Sequence, residues 1–272
     1  MTSYPSYETK QNKIEIKDFE SKYDKTNTIL GAGNFSYVQS GYTIRHKRKI
    51  VIKIIFKEQY CKLKEALLLK KLSHPNIIQY LNHYHISKNI YYLVMSYFGQ
   101  MNLLTFIKQN HNITEIVSHK IFVQVYEAIA YCKQKHILHR DIQCRNVRIN
   151  TLTHKIKLVD FGSAVLYHNG FYFLSIKNSN FNAPPEWFHL KKYTASSLTV
   201  WTLGILLYTL TFNKKPFKKT FQISHFPCFY PKKKKLSINL VMFLKWCFAK
   251  QINSRMSMAE MKHHPWITKI WP

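Results

Sequence analysis

HRDIQCRN, residues 139–146, is the stretch of this 272-residue sequence that decides its fold. It follows a predicted helix and places the carboxylate of Asp141 and the carboxamide of Asn146 in one loop. Asp141 can accept a proton from a hydroxyl group, and Asn146 can bind a hard cation through its oxygen. Downstream, the predicted strand in KIKLVDFG ends on Asp160, which can supply a second oxygen ligand to a cation. The two stretches therefore predict a magnesium site beside a general base.

Two glycines stand far upstream, in the stretch LGAGNFSYV that begins at Leu30. Gly31 and Gly33 would let backbone N–H groups approach phosphate groups without side chains in the way. A glycine pair in a hairpin is also typical of an ordinary turn. This stretch by itself leaves both interpretations open.

A lysine lies inside the apolar strand predicted for KIVIKIIF. An unpaired ammonium group is costly in such a place, so Lys53 needs an anion nearby. Glu65, on the following Leu-rich helix, is the available partner, and Glu58 is the other acid close in sequence. Together, Lys53 and Glu65 could hold the α- and β-phosphates of a nucleotide.

The order of predicted elements changes along the chain. Residues 1–24 are polar and predict an extension that ends at the start of a strand. Strand patterns dominate from Thr28, interrupted by one helix with leucines at three- and four-residue spacing. After Gly99 the patterns become helical. Strands first and helices later predict an α+β fold, with a small antiparallel sheet lobe carrying one main helix and a larger, mainly helical lobe.

The ordered set of glycine loop, Lys53, Glu65, HRD and DFG resembles the eukaryotic protein kinases over residues 23–271. Two later markers agree with the resemblance. PPEW supplies Glu186, and Arg255 matches the arginine that pairs with this glutamate in the family. The stretches TVWTLGILLYTL, LKWC and HPW make the chain most similar to the PIM branch of serine/threonine kinases, in the calcium/calmodulin-kinase-like group.

The resemblance implies a bilobal kinase fold and a division of the chain. Residues 1–22 would be an N-terminal extension, and the remainder to residue 271 would be the kinase domain. Within that domain, the N-lobe would span about residues 23–95, the hinge residues 96–98 and the C-lobe about residues 99–271.

The resemblance also implies an activity, that of a serine/threonine protein kinase that uses ATP and Mg²⁺ to phosphorylate protein hydroxyl groups. Lys53, Asp141 and Gln143 would be the catalytic residues, and Asn146 and Asp160 would bind the metal. The residues expected to bind the nucleotide are Leu30, Gly31, Ala32, Gly33, Asn34, Phe35, Ser36, Tyr37, Val38, Val51, Lys53, Glu65, Met95, Ser96, Tyr97, Phe98, Arg148 and Asp160.

The resemblance implies special roles for several of these positions and for Ser179. Met95 would be the gatekeeper, and residues 96–98 would be the hinge that contacts adenine through backbone groups. Ser179 stands where serine/threonine kinases carry a hydroxyl residue near the catalytic loop.

Gln143 departs from the family pattern, because serine/threonine kinases have a lysine there that faces the transferring phosphate. A positive charge is therefore missing where charge develops in the transition state, which predicts slow chemistry. Tyrosine kinases also lack that lysine, and the arginine in CRN is typical of them. PPEW argues against tyrosine specificity.

Arg148 is a second departure, since the family has an apolar residue there that forms the floor under adenine. Its guanidinium could stack on the purine, or it could fill the pocket and exclude the nucleotide. Together with Gln143, it leaves open a pseudokinase, a scaffold with weak or no phosphoryl transfer. Ser36, in place of a third loop glycine, and Thr199, in place of a tethering aspartate, are milder changes.

The net charge of +28, from 41 basic and 13 acidic residues, is extreme for a chain of this length. It predicts non-specific attraction to polyanions, although lysines spread over a solvated surface give the same number. Nucleic-acid binding as the main role would rest on this charge alone. Arg145 replaces an acidic loop position, and no acid occurs between Glu186 and Glu260. The sequence therefore predicts a protein substrate that is acidic or already phosphorylated.

A monomer in the cytosol or nucleus is the expected state. The N-terminus is polar, and the longest apolar stretch, Val200–Phe212, is about half as long as a bilayer crossing requires, so no membrane association is expected. Five cysteines, scattered without CxxC spacing, indicate neither a disulfide framework nor a zinc site.

Overall fold

The structure is a computed structural model that describes residues 10–33, 35–56, 64–99, 101–168, 170–176, 180–231 and 236–271. The chain divides into two compact units, Met1–His74 with Ile78–Phe98, and Pro75–Ile77 with Gly99–Pro272. The first unit holds an antiparallel sheet, and the second is mainly helical. The predicted α+β fold class is therefore confirmed.

The first unit contains a five-stranded antiparallel sheet with the order β1-β2-β3-β5-β4. Its elements are α1 (Lys10–Lys22), β1 (Tyr23–Gly33), β2 (Ser36–Thr43), β3 (Lys49–Phe56), α2 (Lys64–Lys70), β4 (Tyr80–Ser87) and β5 (Ile90–Ser96). Successive side chains of a strand point to opposite faces of the sheet. In β3 this rule separates three buried isoleucines, Ile50, Ile52 and Ile54, from Val51 and Lys53 on the other face.

Helix α1 packs on the sheet face that carries these isoleucines. Its Phe19 is 3% exposed and belongs to the same buried cluster as the isoleucines of β3. The Phe19 ring meets the rings of Tyr84 and Tyr92 edge-on, with centroids 5.3 and 5.1 Å apart. The sequence described residues 1–22 only as an N-terminal extension and did not indicate this helix. The sequence pattern missed it because, among residues 11–22, the buried side consists of Asn12 and Phe19.

The second unit contains eight described helices and several short strands. The helices are α3 (Leu103–Gln109), α4 (Glu115–Gln134), α5 (Pro185–Leu190), α6 (Ala195–Phe212), α7 (Thr220–His225), α8 (Ile238–Cys247), α9 (Met258–His263) and α10 (Pro265–Thr268). The strands are β6 (Met101–Asn102), β7 (Ile137–Leu138), β8 (Val147–Ile149), β9 (Ile156–Leu158), β10 (Val165–Leu166), β11 (Tyr172–Phe173) and β12 (Tyr193–Thr194). Thr114 and Thr194 cap the N-termini of α4 and α6 with side-chain oxygens, which explains where these helices begin.

Helix α6 is the central helix of the second unit. This 18-residue helix is long and apolar enough to cross a membrane, but 83% of its residues are buried inside the unit, as in the core helix of a globular domain. Trp201 is fully buried and stacks on Phe217, with ring centroids 5.6 Å apart. A Cβ atom at Gly204 would lie 2.8 Å from the Cβ atom of Cys247 in α8, so glycine is needed where the two helices approach.

A buried ion pair joins α5 to the segment before α9. Both guanidinium NH2 groups of Arg255 donate to Glu186, with Nη1–Oε1 and Nη2–Oε2 distances of 3.0 and 2.8 Å. The two side chains are only 1% and 3% exposed. The predicted pairing of these residues is confirmed.

Four cysteines lie among the described residues, and all four are free thiols. Burial raises the pKa of Cys132 and Cys144 to about 12, which keeps these thiols protonated and unreactive. Cys61 lies outside the described residues.

Candidate active site

One face of the sheet gathers several residues that were predicted to contact a nucleotide. Val38 of β2 lies opposite Lys53 of β3, and Val51 of β3 lies opposite Met95 of β5. Directly opposed residues share a face, as do residues two apart in one strand, so these four side chains lie on the same side of the sheet. This is the side opposite Phe19. It offers apolar surface around a single ammonium group.

The predicted pairing of Lys53 with Glu65 is confirmed. The Lys53 Nζ donates to both carboxylate oxygens of Glu65, at 3.0 and 2.9 Å. Both side chains are largely buried, 12% and 8% exposed, so the pair has little screening from solvent. Glu65 can reach the lysine because it stands in the first turn of α2. Glu58, the alternative partner, lies outside the described residues.

The glycine stretch forms the hairpin between β1 and β2. Gly31 pairs with Val38 and Gly33 with Ser36. Neither glycine has the positive φ angle that would demand glycine, and an added Cβ at Gly31 would meet no atom within 4 Å. Local packing and backbone conformation therefore do not explain these glycines. The open space above the hairpin is what an approaching phosphate group requires. Asn34 lies outside the described residues.

The predicted hinge follows the end of β5. The backbone N–H of Ser96 donates to the carbonyl of Gln79 at 3.0 Å, and the Lys49 Nζ lies 4.2 Å from the ring centroid of Tyr97. The first unit ends at Phe98. Assignment of Ser96, Tyr97 and Phe98 to adenine binding stays a prediction.

The loop of the HRDIQCRN stretch runs from β7 to β8 in the second unit, with a short 3₁₀ turn at Cys144–Asn146. Its centre is the carboxylate of Asp141, which accepts a hydrogen bond on each oxygen. Gln143 Nε2 donates to Oδ1 and Asn146 Nδ2 donates to Oδ2, both at 2.7 Å. Asn146 Nδ2 also lies 2.9 Å from the Asp141 backbone oxygen. Asp141 is thereby fixed in position by two neutral amides.

Asp160 lies next to this loop. The backbone N–H of Val159 donates to the carbonyl oxygen of Asn146 at 2.9 Å, so the two predicted metal ligands stand on hydrogen-bonded segments. Asp160 itself has φ +63° and an exposed side chain, whereas Phe161 is fully buried. The Phe161 ring packs against His139, with centroids 4.6 Å apart. The backbone N–H of Gly162 donates to Oδ1 of Asp160 at 3.4 Å.

Arg148 contacts the backbone of the second unit. Its Nη2 donates to the carbonyl oxygen of Gly99 at 3.0 Å, and the side chain is half-buried. Gly99 has φ +65°, and an added Cβ would lie 2.6 Å from the carbonyl oxygen of Ile149, so glycine is required there. The guanidinium is thus tied to backbone within the second unit. Its contact with a nucleotide stays a prediction.

Arg140 is a site residue that the sequence analysis left without a role. Its Nη2 donates to the backbone oxygen of Ser175 at 2.8 Å, and its guanidinium carbon lies 5.5 Å from the ring centroid of Phe173. The hydroxyl of Tyr193 donates to the same Ser175 oxygen at 2.8 Å. Arg140 therefore connects the segment after Asp160 to the loop that carries Asp141. The arginine directly before Asp141 was the available signal. Ser179 lies outside the described residues.

Comparisons with known proteins agree with this geometry. The model of the protein kinase domain matches residues 24–267 of the chain. The chain is 31% identical over 270 residues to serine/threonine-protein kinase pim-2 of Danio rerio, which covers 92% of this chain and 86% of that protein. The predicted resemblance to the PIM branch is confirmed.

Two other relatives are matched over a smaller part of their own length. The chain is 29% identical to probable serine/threonine-protein kinase MARK-A of Dictyostelium discoideum over 88% of this chain and 23% of that protein. It is 33% identical to serine/threonine-protein kinase SIK1 of Rattus norvegicus over 72% of this chain and 26% of that protein. The chain therefore spans about a quarter of the length of these two relatives.

Proposed function

This chain belongs to the protein kinase family, and from that premise we propose that it transfers the γ-phosphoryl group of ATP, with Mg²⁺, to serine or threonine hydroxyl groups of proteins. The observation that carries the proposal is the carboxylate of Asp141, held by Gln143 and Asn146 beside the segment that bears Asp160. Transfer of labelled phosphate from ATP to the chain itself or to acidic proteins tests it. Silence in every such assay would contradict it.

Lys53 binds the phosphates in this proposal. Its ammonium group, oriented by both oxygens of Glu65, shares a face of the sheet with the apolar side chains of Val38, Val51 and Met95. Such a surface suits a purine ring, and the ammonium group suits the α- and β-phosphates. Bound Mg-ATP supplies the phosphoryl group and a metal charge that offsets the phosphate charge.

Asn146 and Asp160 fit a magnesium ion. The NH2 group of Asn146 is occupied with Asp141, which leaves its carbonyl oxygen as the side-chain atom that can face a cation. The Asp160 carboxylate is exposed. Magnesium commonly takes one or two protein oxygens and keeps water and phosphate oxygens as its other ligands. Two side chains are therefore a sufficient protein contribution.

Asp141 orients the substrate hydroxyl and accepts its proton. The amide of Gln143 restricts the carboxylate to one orientation, but it adds no charge to the site. Because transition-state charge is best stabilised by charged or fixed polar groups, this glutamine favours correct positioning with modest acceleration.

We also propose that the substrates are acidic or already phosphorylated proteins, because the chain carries a net charge of +28. The proposed state of the chain is a monomer in the cytosol or nucleus, which the free thiols support.

A scaffold with little phosphoryl transfer is the second candidate function. The neutral amide of Gln143 on Asp141 is the observation that favours it. Nucleotide binding without turnover, in the natural chain and in variants that add positive charge at position 143, would establish this candidate in place of the kinase.

We expect Mg-ATP to raise the melting temperature of the chain. At a ligand concentration about 100 times Kd, binding stabilises a protein by about 2.7 kcal/mol, or about 5 to 10 °C here. The shift should be lost in Lys53→Met, which removes the phosphate contact, and kept in Lys71→Met, which changes an exposed lysine of the same unit. Differential scanning fluorimetry with and without Mg-ATP measures both. An equal shift in the two variants would exclude the role of Lys53.

We expect Gln143→Lys to raise kcat. The lysine would bring a full charge to the transferring phosphate, and a group of this kind can be worth up to about 100-fold. Steady-state transfer to a peptide measures the gain. Gln143→Met serves as the control, because it removes the hydrogen bond from the side-chain amide to Asp141 without adding charge and should lower kcat. A Gln143→Lys chain no faster than the natural one would show that charge at this position does not limit the rate.

A further inference from the structure

A cavity opens in the second unit beside the catalytic loop. Its volume is about 310 Å³, and its lining includes Leu104, Gln143, Arg145, Phe181, Lys215 and Phe217. Arg145 follows Gln143 by two residues in the loop, and Lys215 lies after α6. We refer to this cavity, defined by these six residues, as the basic pocket.

Two cations give the basic pocket its character. Arg145 and Lys215 are both exposed, and the Lys215 Nζ lies 4.7 Å from the ring centroid of Phe181. Among the described residues, no carboxylate lines the cavity or forms an ion pair with either cation. The two charges are therefore available to an anionic ligand, with aromatic surface beside them.

The basic pocket adjoins the catalytic carboxylate through one side chain. Gln143 lines the cavity and also donates to Asp141 at 2.7 Å. A peptide whose hydroxyl residue contacts Asp141 would therefore place a residue close in sequence at the pocket. A charged side chain of the peptide at the pocket would therefore bind at the same time as the acceptor hydroxyl contacts Asp141.

We propose that the basic pocket selects protein substrates by binding an anionic side chain, a carboxylate or a phosphoryl group, near the acceptor hydroxyl. Arg145 and Lys215 are the specificity-determining residues. Arginine binds planar carboxylates and phosphates with two parallel N–H bonds, and the lysine supplies a second point charge. Two cations match a phosphoryl group, which carries about two negative charges at neutral pH. This inference rests on the proposed kinase function and names the feature by which substrates are chosen.

Peptides with one serine test the proposal. Each position from four before to four after the serine is set in turn to alanine, glutamate, phosphoserine or lysine, and kcat/KM is measured. We expect an anionic residue at one or two positions to raise kcat/KM at least about tenfold over alanine, with lysine lowest. A larger gain for phosphoserine than for glutamate assigns the pocket to a phosphoryl group, and equal gains assign it to any anion.

The double variant Arg145→Glu/Lys215→Glu should reverse the preference towards lysine peptides. Lys218→Glu/Lys219→Glu is the matched control, because it makes the same change in net charge on exposed residues outside the lining. We expect this control to keep the natural preference. An anionic preference that is absent in the natural chain, or equal in both double variants, overturns the proposal.

Peptide binding separates this proposal from the kinase function itself. Fluorescence polarisation of the best anionic peptide, labelled and without ATP, reports the pocket directly. Tight binding that is lost in Arg145→Glu/Lys215→Glu supports the pocket even if no peptide is phosphorylated. Equal transfer to every peptide, with no charge-dependent binding, overturns the pocket while leaving the kinase function intact.

Discussion

Replacing Asp141 by asparagine lowers the rate of phosphoryl transfer by about 10²- to 10⁴-fold, the expected result for a lost general base. Asparagine keeps the shape of the side chain but cannot accept a proton from the substrate hydroxyl. Its own NH2 group would also face one of the two amides that now donate to the carboxylate, from Gln143 or Asn146. Single-turnover transfer from labelled ATP measures the effect.

The matched control for this variant is Glu127→Gln. It removes one carboxylate from an exposed position on α4 in the same unit, and it should transfer phosphate at the natural rate. The Mg-ATP shift in melting temperature should survive in both variants, because Asp141 contacts the hydroxyl and not the nucleotide in the proposed mechanism. Activity of Asp141→Asn within threefold of the natural chain would refute the assignment of the base.

Replacing Glu186 by glutamine destabilises the second unit by about 3 to 5 kcal/mol. Glutamine leaves the Arg255 guanidinium charged, and that side chain is 1% exposed. A buried charge without its counter-ion bears the desolvation cost that the carboxylate now offsets. All five tryptophans lie at positions 187–271, so tryptophan fluorescence during urea unfolding reports this unit alone.

Two further variants make the measurement specific. Lys22→Met, followed by circular dichroism because its unit holds no tryptophan, breaks the exposed pair with Asp18 and should cost at most about 1 kcal/mol. Glu186→Leu/Arg255→Met removes both buried charges and should be less destabilised than the sum of its single variants. A loss below about 1 kcal/mol in Glu186→Gln would mean that the buried pair does not stabilise the unit.

Lys53 shows what the sequence could predict. An ammonium group in a strand of isoleucines must have an anionic partner, and Glu65 on the following helix was the expected one, with Glu58 as the alternative. This inference succeeded because it depended on one strong local requirement.

Gln143, Arg148 and helix α1 show where prediction stopped. The sequence showed that position 143 lacks a lysine charge, but the hydrogen bond from the Gln143 amide to Asp141 depends on the geometry of the loop. Arg148 donates to the backbone carbonyl of Gly99, a contact that the sequence did not predict because the position of that carbonyl depends on the fold. In α1, one aromatic side chain provides most of the burial, so no periodic pattern indicated a helix.

The packing of Phe19 shows that the folded sheet begins earlier in the chain than the match to the protein kinase domain. The match to the protein kinase domain begins at residue 24, yet the hydrophobic core under β3 includes a side chain five residues earlier. Phe19 packs on one face of the sheet, and Lys53 lies on the opposite face. A chain trimmed to the family boundary would lose Phe19, and the isoleucines of β3 that pack in the same cluster would become more exposed to water on that face.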